Sequence, residues 1–166
     1  MDASPILTRI AELFNRHGLE AIMVGNAAAA LQGAPVTTVD IDFLFRKTPV
    51  NVRKLKAVNQ DLEAVILRPF YPVLDLFRIM RDADTLQIDF MTSMAGIQSY
   101  EGLRKRAARV NFGGHALLVA SLADIIKSKK AAGRPKDLAV MHALENALAQ
   151  TQTHAESETR TAQKRK

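Results

Sequence analysis

Three aspartates occur in a pattern that suits metal-assisted phosphoryl chemistry. Asp40 and Asp42 are separated by one residue, and Asp89 lies in a similar apolar-Asp-apolar triplet. Residues at i and i+2 of a strand project from one face, about 6.6 Å apart at roughly 3.3 Å per residue. Two buried carboxylates this close are unfavourable without a cation, and Mg²⁺ takes carboxylate and phosphate oxygens as ligands. If the two segments are neighbouring strands, the three carboxylates meet and could hold two ions about 3.5–4 Å apart.

Each aspartate also has a simpler interpretation, in which it faces solvent on the polar side of a half-buried strand. Aspartate is depleted in strands. Three of them on predicted strands therefore favour a shared site, although spacing alone does not decide between the two interpretations.

A second candidate feature is Gly25-Asn26, which lies between an apolar run and a helix-forming run. A helix N-terminus offers free backbone N–H groups to a phosphate, and glycine allows the backbone to approach closely. The alternative is an ordinary turn in which Asn26 caps the helix.

The elements that must position these residues alternate between helices and strands. Apolar spacing of three to four predicts helices over residues 6–17, 27–31, 50–61, 96–106, 122–132 and 136–149. Alternating or short apolar runs predict strands over residues 21–24, 39–45, 64–67, 76–80, 85–91, 109–112 and 115–119. Two of the strand pairs read as hairpins, so the order of elements indicates an α+β domain.

Composition excludes several functional classes. The chain has 166 residues and no cysteine, which rules out disulfides, thiolate metal sites and a cysteine nucleophile. No apolar run of membrane-spanning length occurs, and residues 1–5 lack a signal-peptide pattern, so a cytoplasmic protein without membrane contact is expected. The net charge of +6 suits anionic partners such as nucleotides or RNA, whereas 5% aromatic residues do not suit base stacking.

The last residues differ in composition from the rest. Residues 151–166 contain no large apolar side chain and end in Gln163-Lys164-Arg165-Lys166. Such a segment cannot bury enough surface to offset its ordering entropy. We therefore expect one domain over residues 1–150 and a disordered basic tail over residues 151–166.

Together, the segments Val24–Asn26, Gly33–Pro35 and Thr38–Phe43 resemble the signature of the nucleotidyltransferase superfamily. That signature is an apolar residue, Gly and then Gly or Ser, followed later by two Asp one residue apart. More narrowly, the chain resembles small bacterial nucleotidyltransferases related to abortive-infection and toxin–antitoxin systems. Residues 121–137 resemble the later helical motif of these proteins.

The resemblance implies a mixed twisted sheet flanked by helices, with further helices at the C-terminus. It implies transfer of a nucleoside monophosphate from an NTP to an acceptor with Mg²⁺ or Mn²⁺, the acceptor being RNA, protein or a small molecule. A cognate antitoxin would be a further partner. The implied metal-binding and catalytic residues are Asp40, Asp42 and Asp89. The implied nucleotide-binding residues are Gly25, Asn26, Thr38, Lys127 and Lys130.

Two positions depart from the superfamily pattern. Asn26 stands where Gly or Ser is usual, and Val36 stands where relatives often carry Arg. Both leave the carboxylates intact but change the surroundings of the triphosphate. Two alternatives therefore stay open: a nucleotidyltransferase-like domain that has lost catalysis and acts as a binding or regulatory protein, and a basic RNA-binding module whose aspartates are incidental.

Overall fold

The computed structural model describes residues 4–67 and 75–163, in which helices pack on a single sheet. The helices are α1 (Ser4–His17), α2 (Gly25–Ala30), α3 (Pro49–Asp61), α4 (Tyr100–Arg106), α5 (Leu122–Ala132), α6 (Pro135–Ala139) and α7 (Met141–Gln163). The strands are β1 (Ala21–Val24), β2 (Ile41–Phe45), β3 (Val65–Leu67), β4 (Leu76–Arg81), β5 (Leu86–Met91), β6 (Ala108–Phe112) and β7 (His115–Val119). Among the described residues, no helix is both long and apolar enough to cross a membrane.

The sheet is mixed, with the strand order β3-β4-β5-β2-β1-β7-β6. Strand β2 runs parallel to β5 and antiparallel to β1, and β1 runs parallel to β7. The predicted hairpins are present as the antiparallel pairs β4–β5 and β6–β7. The predicted α+β class with a mixed sheet is therefore confirmed.

Register across the centre of the sheet fixes the neighbours of Asp42. This residue lies opposite Asp89 on β5 and opposite Val24, the last residue of β1. One row across three strands therefore contains two of the three predicted acidic residues and ends next to Gly25.

The core beneath this row is aromatic. The ring of Phe14 from α1 lies 4.9 Å from that of Phe43, and Phe43 stacks on Phe90 at 5.4 Å. Burial of side chains of this size contributes about 1.5–3 kcal/mol each. Alternation along the strand predicted over residues 39–45 would place Leu44 on the polar face with Asp42, yet Leu44 is buried, because α2 packs against β1 and β2.

Two predicted helices have different bounds in the structure. The helix predicted over residues 96–106 begins only at Tyr100, because Gly96 has a positive φ and Ser99 accepts a hydrogen bond from the Gly102 amide as the N-cap. The helix predicted over residues 136–149 is two helices that meet at Val140. Asp137 in the first of them is 1% exposed and fixes it to its surroundings through two ion pairs.

The C-terminal segment was predicted to be disordered from residue 151, whereas α7 continues to Gln163. Residues 151–157 are exposed, and the last side chains that pack on the core are those of Ala147 and Leu148. The exposure of residues 151–157 agrees with their lack of large apolar side chains. A helix persists there because its hydrogen bonds are local and its alanine, glutamate and glutamine residues are good helix formers.

Candidate functional site

Three carboxylates converge where β2 begins. Asp42 and Asp89 lie opposite each other on parallel strands, and Asp40 directly precedes β2. One carboxylate oxygen from each of the three lies within 4.8 Å of the others. The structure thus brings Asp40, Asp42 and Asp89 together, with Asp42 and Asp89 on neighbouring strands as the strand patterns predict and Asp40 just before β2.

Gly25 lies against this acidic cluster. Its φ is +70°, and a Cβ atom placed on it would lie 2.3 Å from Oδ2 of Asp42. Helix α2 starts directly at Gly25, and its N-cap is Val24. The alternative in which Asn26 caps the helix is therefore wrong. The backbone at residue 25 lies so close to Asp42 that only glycine fits there without a shift of the carboxylate.

We expect Gly25→Ala to disturb the cluster as well as the backbone. The left-handed conformation alone costs about 1–2 kcal/mol for a residue with a Cβ, and the methyl group must displace the Asp42 carboxylate. Calorimetric titration should therefore show Mn²⁺ affinity falling about tenfold or more, which corresponds to about 1.4 kcal/mol.

Gly33→Ala is the matched control for this experiment. Gly33 also has a positive φ, +85°, but a Cβ there would meet nothing within 4 Å. We expect Gly33→Ala to lower the melting temperature while leaving Mn²⁺ affinity unchanged. Equal Mn²⁺ affinities for wild type and Gly25→Ala would contradict a role for this close approach.

The electrostatics of the cluster act most strongly on Asp42. Burial, followed by the charges of Asp40 and Asp89, raises the pKa of Asp42 from 3.8 to about 6. The charges of Lys129 and Lys136 act in the opposite direction. Ionisation of Asp42 therefore costs free energy in the folded protein, first because the group is buried and then because two carboxylates lie nearby.

Asp89 has a cationic partner that the sequence analysis missed. Nε and Nη2 of Arg78 each donate a hydrogen bond of 2.7 Å to a different carboxylate oxygen of Asp89. Gln87 donates a third, at 3.3 Å, to Oδ2. Arg78 lies directly opposite Asp89 in the β4–β5 hairpin, so the strand alternation and the hairpin contained a signal, but only with the correct register.

The loop before β2 is organised around Asp40. The Thr38 hydroxyl donates to Oδ1 of Asp40 at 2.6 Å, so this predicted nucleotide-binding residue contacts a cluster carboxylate. Asn26 donates from Nδ2 to the Thr37 carbonyl at 3.3 Å. Its Oδ1 atom is buried, with no hydrogen-bond partner among the described residues.

The predicted phosphate-binding lysines are Lys127 and Lys130 on α5, whereas the lysines whose charges act on Asp42 are Lys129 on α5 and Lys136 on α6. Lys127 is exposed, and Lys130 forms an ion pair of 2.6 Å with Glu145 on α7. Lys129, by contrast, bonds to the buried Asp137 at 3.1 Å, and its charge reaches Asp42. The sequence analysis selected neither Lys129 nor Lys136 as a site residue. For Lys129 a signal was present, because helical periodicity places it on the buried stripe of α5.

The donor set fits a divalent cation. Carboxylate oxygens are the ligands that Mg²⁺ and Mn²⁺ prefer, and three of them lie within 4.8 Å of one another. The raised pKa of Asp42 comes first from burial and then from the charges of Asp40 and Asp89, and a bound cation would offset both effects. The residues that would hold it are Asp40, Asp42 and Asp89.

Comparison with known proteins places this chain in a family. Residues 5–151 match the family described as nucleotidyltransferase of unknown function, DUF6036. A comparison with curated proteins finds no significant match.

Solved structures with the same fold share few identical residues with the chain. The antibiotic-resistance factor ANT(2″)-Ia in complex with adenylyl-2″-tobramycin is 16% identical, with a TM-score of 0.63 over 96% of this chain and 97% of that one. A candidate nucleotidyltransferase from Thermotoga maritima is 16% identical, with a TM-score of 0.62, and the match covers 86% of this chain and 91% of that one. Lincomycin-bound LnuA, a lincosamide antibiotic adenylyltransferase, is 13% identical, with a TM-score of 0.59, and the match covers 85% of this chain and 95% of that one.

The family match and the shared fold are consistent with an acidic cluster that lies beside Gly25, the glycine between β1 and α2. The family match spans the sheet, the cluster and helices α1 to α6. This chain belongs to the nucleotidyltransferase family of unknown function.

Proposed function

We propose that the protein is a metal-dependent nucleotidyltransferase that moves a nucleoside monophosphate from an NTP to an acceptor hydroxyl. The observation that carries this proposal is the convergence of three carboxylate oxygens within 4.8 Å beside a glycine whose missing side chain leaves room at Asp42. In the reaction, the acceptor oxygen bonds to the α-phosphorus, the bond between the α- and β-phosphates breaks, and pyrophosphate leaves.

The residues of the site would divide the work by position. Asp40 and Asp42 would ligate Mg²⁺ or Mn²⁺, with Thr38 holding Asp40 through its hydroxyl. Asp89 would either ligate the same metal or accept the proton of the attacking hydroxyl. The bound ion would supply charge stabilisation to the transferred phosphoryl group.

The nucleotide would bind on the side of the cluster where β1 meets α2. Gly25 and Asn26 would face the triphosphate there, as the family resemblance implies. Lys129 and Lys136 join Lys127 and Lys130 as candidates for phosphate contact, because their charges already act on Asp42. A compact ammonium group suits phosphate as a point charge.

The acceptor divides into three testable classes. Two relatives of the same fold are described with antibiotics, lincomycin and tobramycin, whereas the net charge of +6 favours an anionic acceptor such as RNA. A protein acceptor is the third class. An RNA or protein acceptor from the host cell would make the protein a toxin and require a cognate antitoxin, as the narrower resemblance implies.

The test is transfer of label from α-³²P-labelled NTPs in the presence of Mg²⁺ or Mn²⁺, with total RNA, cell protein, lincomycin and tobramycin as separate acceptors. We expect label in one acceptor class and its loss in Asp40→Asn. Asp82→Asn is the matched control, because Asp82 is an exposed carboxylate in the turn between β4 and β5.

Failure of this test takes two forms. Nucleotide binding without transfer to any acceptor would favour the catalytically inactive alternative. The structural feature that supports this alternative is the unusual Asn26, whose Oδ1 atom is buried without a hydrogen-bond partner among the described residues. Absence of nucleotide binding at millimolar concentration, with Asp40→Asn behaving like wild type, would contradict the proposed function.

A further inference from the structure

An arginine side chain is bonded to one carboxylate of the acidic cluster. Arg78 and Asp89 form a bidentate ion pair, with both N–O distances at 2.7 Å. The Asp89 side chain is 7% exposed and that of Arg78 is 32% exposed. A guanidinium group stays charged at any physiological pH, and its planar fork matches a carboxylate. The ion pair is therefore a fixed part of the site.

The pairing of strands keeps Arg78 in this position. Arg78 lies opposite Asp89 in β4–β5, and Asp89 lies opposite Asp42 in β5–β2. A cation and two carboxylates thus follow one another in a row across three hydrogen-bonded strands. The backbone of Arg78 therefore stays beside the cluster as long as the strand register is kept.

Hydrogen bonding limits what Asp89 can still offer a metal. An ionised carboxylate has about four lone-pair positions. Arg78 occupies two of them and Gln87 approaches a third at 3.3 Å. Among the described residues, no other hydrogen bond to this carboxylate is formed, so about one position remains for a metal ion.

The charges of the cluster lead to the same conclusion. The three carboxylates carry three negative charges when ionised, and among the described residues Arg78 is the only cation in an ion pair with one of them, whereas Lys129 and Lys136 act on Asp42 without an ion pair. The remaining two negative charges match one divalent ion, and a second would be repelled by both the first ion and Arg78.

We propose that Arg78 takes the place of a second metal ion, so that the nucleotide-free cluster holds one divalent cation. This inference rests on the proposed function, because it concerns the same three carboxylates. It differs from the expectation from spacing alone, in which the cluster could hold two ions. Arg78 acts through Asp89 and is therefore a positioning residue.

The test is titration of the full-length, nucleotide-free protein with Mn²⁺, followed by electron paramagnetic resonance. We expect one Mn²⁺ per wild-type chain and the spectrum of an isolated ion. In Arg78→Gln, and in Arg78→Met, which preserves the apolar stem, a second Mn²⁺ should bind about tenfold or more tightly than in wild type, and exchange coupling between two neighbouring ions should appear.

Arg81→Gln is the matched control. Arg81 is on the same strand and forms the same kind of ion pair, but its partner is the exposed Asp84 in the turn. This variant should bind one Mn²⁺, like wild type.

The outcomes separate this inference from the proposed function. An exchange-coupled Mn²⁺ pair in wild type would overturn the role of Arg78 even if both Arg78 variants failed to fold. A single ion in folded Arg78→Gln and Arg78→Met would overturn it as well. A wild-type protein that binds no Mn²⁺ would contradict the proposed metal-dependent function itself.

Discussion

Asp42→Asn is expected to lower kcat/KM for nucleotidyl transfer by about 10³-fold, the effect of removing about 4 kcal/mol of transition-state stabilisation. Asp42 lies at the centre of the cluster, opposite Asp89 and in contact range of Gly25. An amide of the same shape keeps the packing but loses the charge that attracts a divalent ion. The measurement is the initial rate of label transfer under saturating Mg²⁺.

Two controls accompany this measurement. Asp82→Asn should keep the wild-type rate, because its carboxylate is exposed in the β4–β5 turn. Asp42→Glu restores the charge but moves it by one methylene, so it should recover only part of the activity. A rate for Asp42→Asn within a few-fold of wild type would remove Asp42 from the catalytic machinery.

The same substitution is expected to stabilise the metal-free protein at neutral pH. The pKa of Asp42 is raised from 3.8 to about 6, first by burial and then by Asp40 and Asp89. The folded protein thus binds this proton more tightly than the unfolded chain does, and ionisation of Asp42 opposes folding. A neutral asparagine removes that penalty, which is about 1–3 kcal/mol for a shift of this size in a partly buried group.

The effect has a defined pH window. For wild type, the stabilisation from protonated Asp42 is complete below about pH 4 and is lost as the pH rises through 6. We therefore expect Asp42→Asn to melt about 2–12 °C above wild type at pH 7.5 in EDTA, using about 2–4 °C per kcal/mol. At pH 4 the difference should vanish.

Thermal unfolding followed by circular dichroism at both pH values checks this prediction. Addition of Mn²⁺ should reverse the order at pH 7.5, because only wild type gains stability from the bound ion. A lower melting temperature for metal-free Asp42→Asn at pH 7.5 would show that Asp42 contributes to folding as a charged group, contrary to the raised pKa.

Local patterns in the sequence were sufficient for most elements. The apolar run at Ala21–Val24, the caps at Thr48 and Ser121, and the glycine pair at 113–114 each specify a boundary by local chemistry. Propensity, capping and turn geometry act over a few residues, and for that reason they can be interpreted without a partner segment. The exceptions are the helix that begins at Tyr100 instead of Gly96, the break between two helices at Val140, and the helix that continues beyond residue 150.

The face of a residue on an element is harder to predict than the element. Lys127 and Lys130 were selected as phosphate-binding candidates, yet Lys129 is the side chain turned toward the buried Asp137. Leucine and isoleucine at positions 122, 125 and 126 are buried, and residue 129 continues that stripe at helical spacing. The signal was present in the sequence, but lysines are ordinarily expected in solvent.

Register is the property that local sequence determines least. The turn predicted over residues 81–84 would pair Arg78 with Gln87, whereas the observed hairpin closes one pair later, at Arg81 and Leu86, and places Arg78 opposite Asp89. The sequence alone thus determined the acidic residues, their strands and the glycine at the junction, because these depend on residue type and short-range spacing. Only the tertiary structure decided that β5 lies next to β2 and that a guanidinium group completes the cluster, because pairing between distant strands is set by the packing of the whole sheet.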